Sequence, residues 1–469
     1  MAGGDGGGIE SELSFLNDRR SFHISEFSAV NHAQFPEGCD FAPKEAPPIT
    51  TAIDTVALRK HRTQSSNQMD QKMFNPRFSK QSQALHSADA DVWAVSDRAH
   101  ALADKGEDVI FLCVGDPNFD TPEPILDYAR ARLGVGRTHY SPAAGELVLR
   151  RAIADIESKV SPHPCPPDDV VVFPGGTNAI YGVLSCLLNP GEQIVIPEPM
   201  YIGYVPITDA LQLDVKKVAC PADQGFAFDI ETIKQAIGED TRAVMINTPV
   251  NPTGAMATPE QLRELAAYCR ERNIWLISDE MYSMITFARR HTSLRAAAEH
   301  LDNVVVIDGL SKSHAMSGWR LGWAVAQGEV VERLIEYAGA TIFGVPQFIQ
   351  ETAAFALEFD TYFVKQMRDA YEQRRDLIVE RIKKIPGLDC YSPEAGMFVM
   401  VDVSAVAENG DAFAESLLDA ERVSVLPGRP FGPSAVNHVR LTLAAEEMEL
   451  SRALDRIENF VTRGCRKAG

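Results

Sequence analysis

IWLISDEMY (residues 274–282) and VVVIDGLSK (residues 304–312) decide the reading of this chain. In each, four apolar residues run without a break, and reactive side chains follow: Asp279 and Tyr282 in the first, Ser311 and Lys312 in the second. A strand buried on one face alternates apolar with polar residues. A strand that stays apolar throughout is covered on both faces, as in a parallel sheet with helices above and below it. The same kind of run recurs at VVVF (170–173), IVIP (194–197) and VMIN (244–247), with amphipathic stretches between. The fold class is therefore α/β, a mostly parallel sheet with flanking helices.

Ligands of such sheets collect at the carboxyl ends of the strands and at helix N-termini. Those ends carry Gly175-Gly176-Thr177, Asn247 through Gly254, Asp279 with Tyr282, and Ser311-Lys312. Beyond VVVF, apolar residues at 179, 180, 183, 184, 187 and 188 make one helical face. The glycines then fall where free N–H groups and the helix dipole favour an anion, and a backbone without Cβ can approach a phosphate closely. Taken alone, the turn is equally an ordinary strand-to-helix connection. An acid such as Asp279 at a strand end is commonly a cap; it can also keep a ring nitrogen protonated, as a pyridine cofactor requires. A lysine is ordinarily a solvated surface group. Enclosed in a dry cleft, Lys312 can lose its proton and form a Schiff base.

The remainder divides by texture. Residues 1–84 open with a glycine tract and pass through APKEAPPITT (42–51) and RKHRTQSSNQMDQK (59–72), with weak periodicity. They read as an N-terminal extension, partly disordered or docked as an arm. Residues 85–128 join a smaller domain, 129–350 make the large domain, and 351–469 make the smaller α+β domain. In the last of these, EFDTYFVKQMRDAYEQRRDLIVERIKKI (358–385) has helical spacing up to Pro386-Gly387, and GMFVMVDV (396–403) and HVRLTLA (438–444) read as strands.

Composition removes whole function classes. The 469 residues are 45% hydrophobic and 23% charged, and a net charge of −20 argues against nucleic acid as a partner. No apolar run is long enough to span a membrane, and the start MAGGDGGGIESELSF lacks a secretory pattern. The eight cysteines form no C-x-x-C and the eleven histidines no H-E-x-x-H, so no metal is expected and a reduced, cytoplasmic setting is.

In chain order, NTPVNPTG (247–254), SDEMY (278–282), SKSHAMSGWR (311–320) and HVRL (438–441) resemble the class I/II aminotransferases of pyridoxal-phosphate fold type I, over roughly residues 90–460. The most specific element is S-K-x-x-x-M-x-G-W-R, in which arginine follows lysine by eight residues. The resemblance implies pyridoxal 5′-phosphate as cofactor. It implies that Lys312 forms the Schiff base and moves the proton between Cα and the cofactor, and that Asp279 pairs with the pyridinium nitrogen. Tyr282 and Asn251 would flank the phenolic oxygen, and Tyr201 in PEPMYIGY (197–204) would stack on the ring. Gly176, Thr177, Ser311 and Arg320 would hold the phosphate. Arg440 would clamp the substrate α-carboxylate, for which a guanidinium is suited. VGDPNFDTP (114–122) places Gly115 in the family's substrate-carboxylate segment. YSPAAGELVLRRAI (140–153) places Tyr140 where the family reaches the neighbouring subunit's phosphate site, which implies a homodimer with shared sites. The chain departs from the pattern at His314, usually aromatic, at Ser317 for threonine, and at Thr177 where lysine is frequent; the extension has no counterpart.

The activity so implied is an L-amino acid:2-oxo acid aminotransferase, ping-pong through a pyridoxamine form. Lyases and decarboxylases share the fold. A ligand-sensing regulator would need a basic helix-turn-helix before residue 85, where the basic stretch is RKHR (59–62). The segments LSKSHAMSGWR (310–320), GMFVMVDV (396–403) and VSVLPG-x-x-FGPSA-x-x-HVRL (423–441) are similar to arginine:pyruvate transaminases, implying arginine or another basic or neutral donor with pyruvate as acceptor. IEYAGATIFGVPQFIQ (335–350) contains neither Arg nor Lys, whereas dicarboxylate-specific relatives of one subgroup carry a second arginine there. Aspartate is therefore expected to be a poor substrate.

Overall fold

The computed structural model describes residues 77–85, 92–359 and 362–467. The apolar runs form the interior of a seven-stranded sheet: β1 (Val170–Phe173), β2 (Gln193–Glu198), β3 (Asp214–Ala219), β4 (Thr241–Asn247), β5 (Trp275–Asp279), β6 (Val304–Gly309) and β7 (Gly322–Val325), in the order β1-β7-β6-β5-β4-β2-β3. All neighbours are parallel except β7, which runs antiparallel to both β1 and β6. Because β7 alone is reversed, the residues leaving β1, β2, β4, β5 and β6 and those entering β7 lie along one edge. That edge is where the candidate chemistry collects.

Successive side chains on a strand point to opposite faces, and both faces are buried here. Val171, Met245, Ile277, Val305 and Ile307 pack against the helices Gly176–Leu187 and Glu329–Thr341. Val244, Ile246, Leu276, Val304 and Val306 pack on the other face against Pro259–Glu271 and Ile230–Ala236. At the β1–β7 end, Val170, Val172, Trp323 and Val325 meet Leu147–Val160 and Gln347–Glu358. The helix Pro259–Glu271 starts at a capping box, Thr258 with Gln261, with proline at its first position. Such a cap stabilises a helix by about 1 kcal/mol.

A smaller antiparallel sheet follows: β8 (Asp389–Cys390), β9 (Phe398–Asp402), β10 (Leu426–Pro427) and β11 (His438–Thr442), ordered β10-β11-β9-β8. Its core includes Phe398, Val401, Leu441, Met367, Ile378, Leu417 and Leu454, from the sheet and the helices Tyr362–Ile382, Gly410–Glu421 and Glu447–Lys467. Ile110–Phe111 pairs in parallel with Val423–Ser424 as a separate two-stranded sheet, and Gly115 lies against Phe398 of β9. Within the extension, Lys80–Ala84 is a short helix capped by Ser79, and Gln81 Nε2 donates to the Tyr181 hydroxyl at 2.6 Å. The expectations for residues 1–76 lie outside the described residues. Among the described residues, no helix is long and apolar enough to cross a membrane.

Candidate active site

Lys312 stands three residues past β6, and its Nζ donates to the Gly115 carbonyl at 2.6 Å. Burial pulls the ammonium down to about 8; the Asp116 carboxylate opposes this, while Arg440 and Arg320 add to it. An amine near 8 is partly neutral at neutral pH, so it can act as nucleophile and base.

Asp279 ends β5 as a buried carboxylate. Burial raises it to about 6, against the Tyr204 hydroxyl, which donates to its Oδ2 at 2.6 Å, and the Met281 amide, which donates to Oδ1 at 3.2 Å. Asn247, ending β4, donates through Nδ2 to the Asp279 carbonyl at 2.9 Å and accepts the Asn251 amide at 2.7 Å. One side chain thus sets the strand end and the NPTG turn against each other.

From Asn251 a polar chain runs to the smaller sheet. Its Nδ2 donates to the Tyr282 hydroxyl at 3.4 Å, and its Oδ1 accepts from an Arg440 Nη at 3.1 Å. The other Arg440 Nη donates to the Cys113 carbonyl at 2.8 Å. The guanidinium lies 4.0 Å from the Phe398 ring centre and 5.1 Å from that of Phe431. Burial lowers Arg440 to about 10, raises the Tyr282 phenol, and leaves Arg440 Nε without a hydrogen-bond partner among the described residues. A buried cation without a counter-charge is costly. Such a group is suited to receive a carboxylate.

The third part is a cradle. The helix Gly176–Leu187 starts at Gly175, whose φ of +93° favours glycine, and a Cβ there would come within 2.5 Å of the Arg320 guanidinium. Arg320 and Thr177 are exposed beside it, Ser311 is buried next to Lys312, and an Arg320 Nη donates to the Ser317 carbonyl at 2.9 Å. Tyr201 lies beside Thr177, and burial raises its phenol. The helix N-terminus and a guanidinium without a salt bridge among the described residues suit a phosphate.

The geometry therefore assembles Gly115, Gly176, Thr177, Tyr201, Asn251, Asp279, Tyr282, Ser311, Lys312, Arg320 and Arg440 around one strand edge. Tyr140 makes no hydrogen bond with them; it is 79% exposed and edge-on to Phe343 at 4.9 Å. Tyr204 is new at this site, and Asn247, named in the sequence only as the start of NTPVNPTG, gains a role in holding the turn.

With the site in place, the comparisons decide the family. The model "Aminotransferase class I and II" matches residues 107–457. The chain belongs to the class I and II aminotransferases. This aminotransferase is 39% identical to an arginine–pyruvate transaminase of Pseudomonas aeruginosa, over 81% of its own length and 97% of the relative's. It is 31% identical to an aspartate aminotransferase of Bacillus subtilis, over 78% and 95%. Among solved structures it superposes on the Thermus thermophilus aspartate aminotransferase with maleate at a TM-score of 0.78, with 32% identity, covering 82% of this chain and all 100% of that one. An aromatic aminotransferase from Pyrococcus horikoshii gives 0.74 with 32% identity, covering 80% and 99%. Members of this family depend on pyridoxal phosphate. The aminotransferase's own residues fit that group: a glycine cradle beside Arg320 that a Cβ would fill, a buried carboxylate at Asp279, and a lysine with a lowered pKa at Lys312.

Proposed function

We propose that this aminotransferase transfers the amino group of a basic or neutral L-amino acid, arginine before others, to a 2-oxo acid, with pyruvate as acceptor. The reading is carried by the buried Arg440 guanidinium, which forms no ion pair among the described residues and is hydrogen-bonded to Asn251, itself bonded to Tyr282. When bound, pyridoxal phosphate supplies an aldehyde that takes up the amino group and a ring that withdraws electrons. The chain's residues do the rest. Gly176, Thr177, Ser311 and Arg320 hold the phosphate, Asp279 keeps a proton on the ring nitrogen, Tyr201 covers the ring, and Asn251 and Tyr282 hold its oxygen. Lys312 would hold the cofactor and would supply the amine that takes up and returns the proton at the substrate Cα. Arg440 clamps the α-carboxylate next to the Gly115 turn.

Two observations support the donor. Residues 335–350 contain no Arg or Lys to receive a side-chain carboxylate. The arginine–pyruvate relative is 39% identical, against 31% for the aspartate enzyme of Bacillus subtilis. The test is kcat/KM for a panel of donors with pyruvate. Arginine should exceed aspartate by on the order of tenfold or more, the scale set by one unpaired buried charge; aspartate outrunning arginine overturns the assignment.

The same reading makes the working unit a homodimer, with Tyr140 reaching the partner's phosphate site. Exposed Leu133, Val135, Tyr140, Leu147, Val148 and Phe343 support it as an uncovered apolar surface. It divides the chain into a large domain, 129–350, and a small one, 351–469 with 85–128. The pairing of Ile110–Phe111 with Val423–Ser424 supports that last join. Among the described residues the free thiols Cys113, Cys165, Cys186, Cys220, Cys269 and Cys390 support a reduced cytoplasmic setting.

A further inference from the structure

A buried carboxylate outside the catalytic cluster, Glu198, lies at the junction of the two sheets. It ends β2, is 2% exposed, and forms no ion pair among the described residues. Its partners are on residues 428–436, the strap that connects β10 to β11. Ser434 Oγ donates to Glu198 Oε2 at 2.6 Å, and the Ser434 amide donates to the same oxygen at 3.2 Å. Two residues on, the Met200 amide donates to the Phe431 carbonyl at 2.8 Å. Gly432 sits against the carboxylate with φ +136°, and any Cβ there would overlap it. The strap is therefore held to the end of β2 at two points, with a glycine making room for the first.

Both ends of this connection lead to the site. Tyr201 directly follows the anchored Met200. Phe431, fully buried in the strap, has its ring 5.1 Å from the Arg440 guanidinium, and Leu426 just before the strap pairs with Arg440 in the sheet. Arg440 itself is held through one Asn251 oxygen and the Cys113 carbonyl, with Nε unpaired, so its aromatic walls define much of its direction.

We propose that Glu198 is a positioning residue for substrate-carboxylate binding: through Ser434 it holds the strap so that Phe431 keeps Arg440 in register with Tyr201. This rests on the reading of Arg440 as the carboxylate clamp. A displacement of about 1 Å in such a group costs on the order of a hundredfold in rate. Holoenzyme variants Ser434→Ala, Glu198→Gln and Glu198→Ala are compared with Arg440→Lys. The readouts are calorimetric Kd for a 2-methyl amino acid, which binds without an α-proton to lose, and KM, kcat, cofactor retention and Tm. Ser434→Ala should weaken Kd and raise KM for both donor and acceptor about fivefold to tenfold, with cofactor retention and Tm unchanged. Glu198→Gln keeps one acceptor oxygen and should recover most of the loss seen in Glu198→Ala. Kd and KM within twofold of wild type in Ser434→Ala overturn the proposal. So does a parallel loss of cofactor and Tm with no selective change in KM, the pattern of a purely structural contact. Arg440→Lys that binds the 2-methyl amino acid normally overturns the clamp reading instead, whatever the strap variants do.

Discussion

Asp279 is asked to be ionised in a place that disfavours charge. Burial moves it from the ordinary 3.8 to about 6, and the Tyr204 hydroxyl is the largest influence in the other direction. In the apoprotein the folded state therefore holds this proton more tightly than the unfolded chain does. By linkage the carboxyl's contribution to stability is lost as pH rises from about 4 to about 6. Asp279→Asn cannot ionise, so its Tm should fall less steeply than the wild type's across that window. Tyr204→Phe removes the hydrogen bond that favours the anion, so the window should extend to higher pH and kcat should fall roughly tenfold or more. Tm scans of the three apoproteins from pH 4 to 8 test this, and superimposable curves would reject it. Lys312 and Asp279 were legible in the sequence because each follows a recognisable apolar run within a few residues. Tyr204 was not, because an aromatic residue in the first turn of a buried helix looks the same whether it fills the core or holds a carboxylate.

At the scale of elements, the strand-to-helix turn at Gly175 has a role distinct from its conformation. Its φ of +93° already disfavours a side chain, and a Cβ would also meet Arg320 Nη2 at 2.5 Å. Gly191 offers the matched comparison, with φ +87° and nothing within 4 Å of its Cβ position. Both alanine variants should lose about 1–2 kcal/mol to the left-handed backbone. Gly175→Ala alone should also weaken cofactor binding, by roughly tenfold to a hundredfold, because Arg320 is displaced from the helix N-terminus. Equilibrium titration of the two apoproteins with pyridoxal phosphate, read by fluorescence, separates the effects; equal affinities would mean that Arg320 does not share the cradle. The interior strands were legible because burial on both faces keeps them apolar. Asp214–Ala219 was not read as a strand: it closes the sheet as DVKKVA, largely exposed, with lysines that suit an edge. Gly322–Val325 was not read as a strand either: its glycine and alanine break up the branched apolar run that marks the other strands, and nothing in GWAV signals its reversed direction.

For the whole molecule, the proposed homodimer turns on whether Tyr140 completes a partner's site. Tyr140 and Phe343 are 79% and 63% exposed and lie edge-on to each other, an arrangement that wastes apolar surface in an isolated chain. The segments bearing them are firmly held: Ser141 Oγ donates to the Val345 carbonyl at 2.9 Å, and Gln350 Nε2 donates to that same carbonyl at 2.7 Å. A rigid, exposed aromatic ledge is suited to insertion into a second copy rather than to closing on its own chain. If Tyr140 reaches the partner's phosphate site, Lys312→Ala and Tyr140→Ala damage a given site from different subunits. A hybrid dimer then holds one site with both lesions and one with neither. Random exchange of equal amounts should give half hybrids, and so about a quarter of wild-type activity from two inactive or strongly impaired parents. Activity would be followed as the subunits are exchanged through mild denaturant, with native mass spectrometry counting the hybrids. Hybrids present in the statistical proportion without any activity above the parents would place Tyr140 and Lys312 in the same subunit's site. Recovery near a quarter would place them in different subunits.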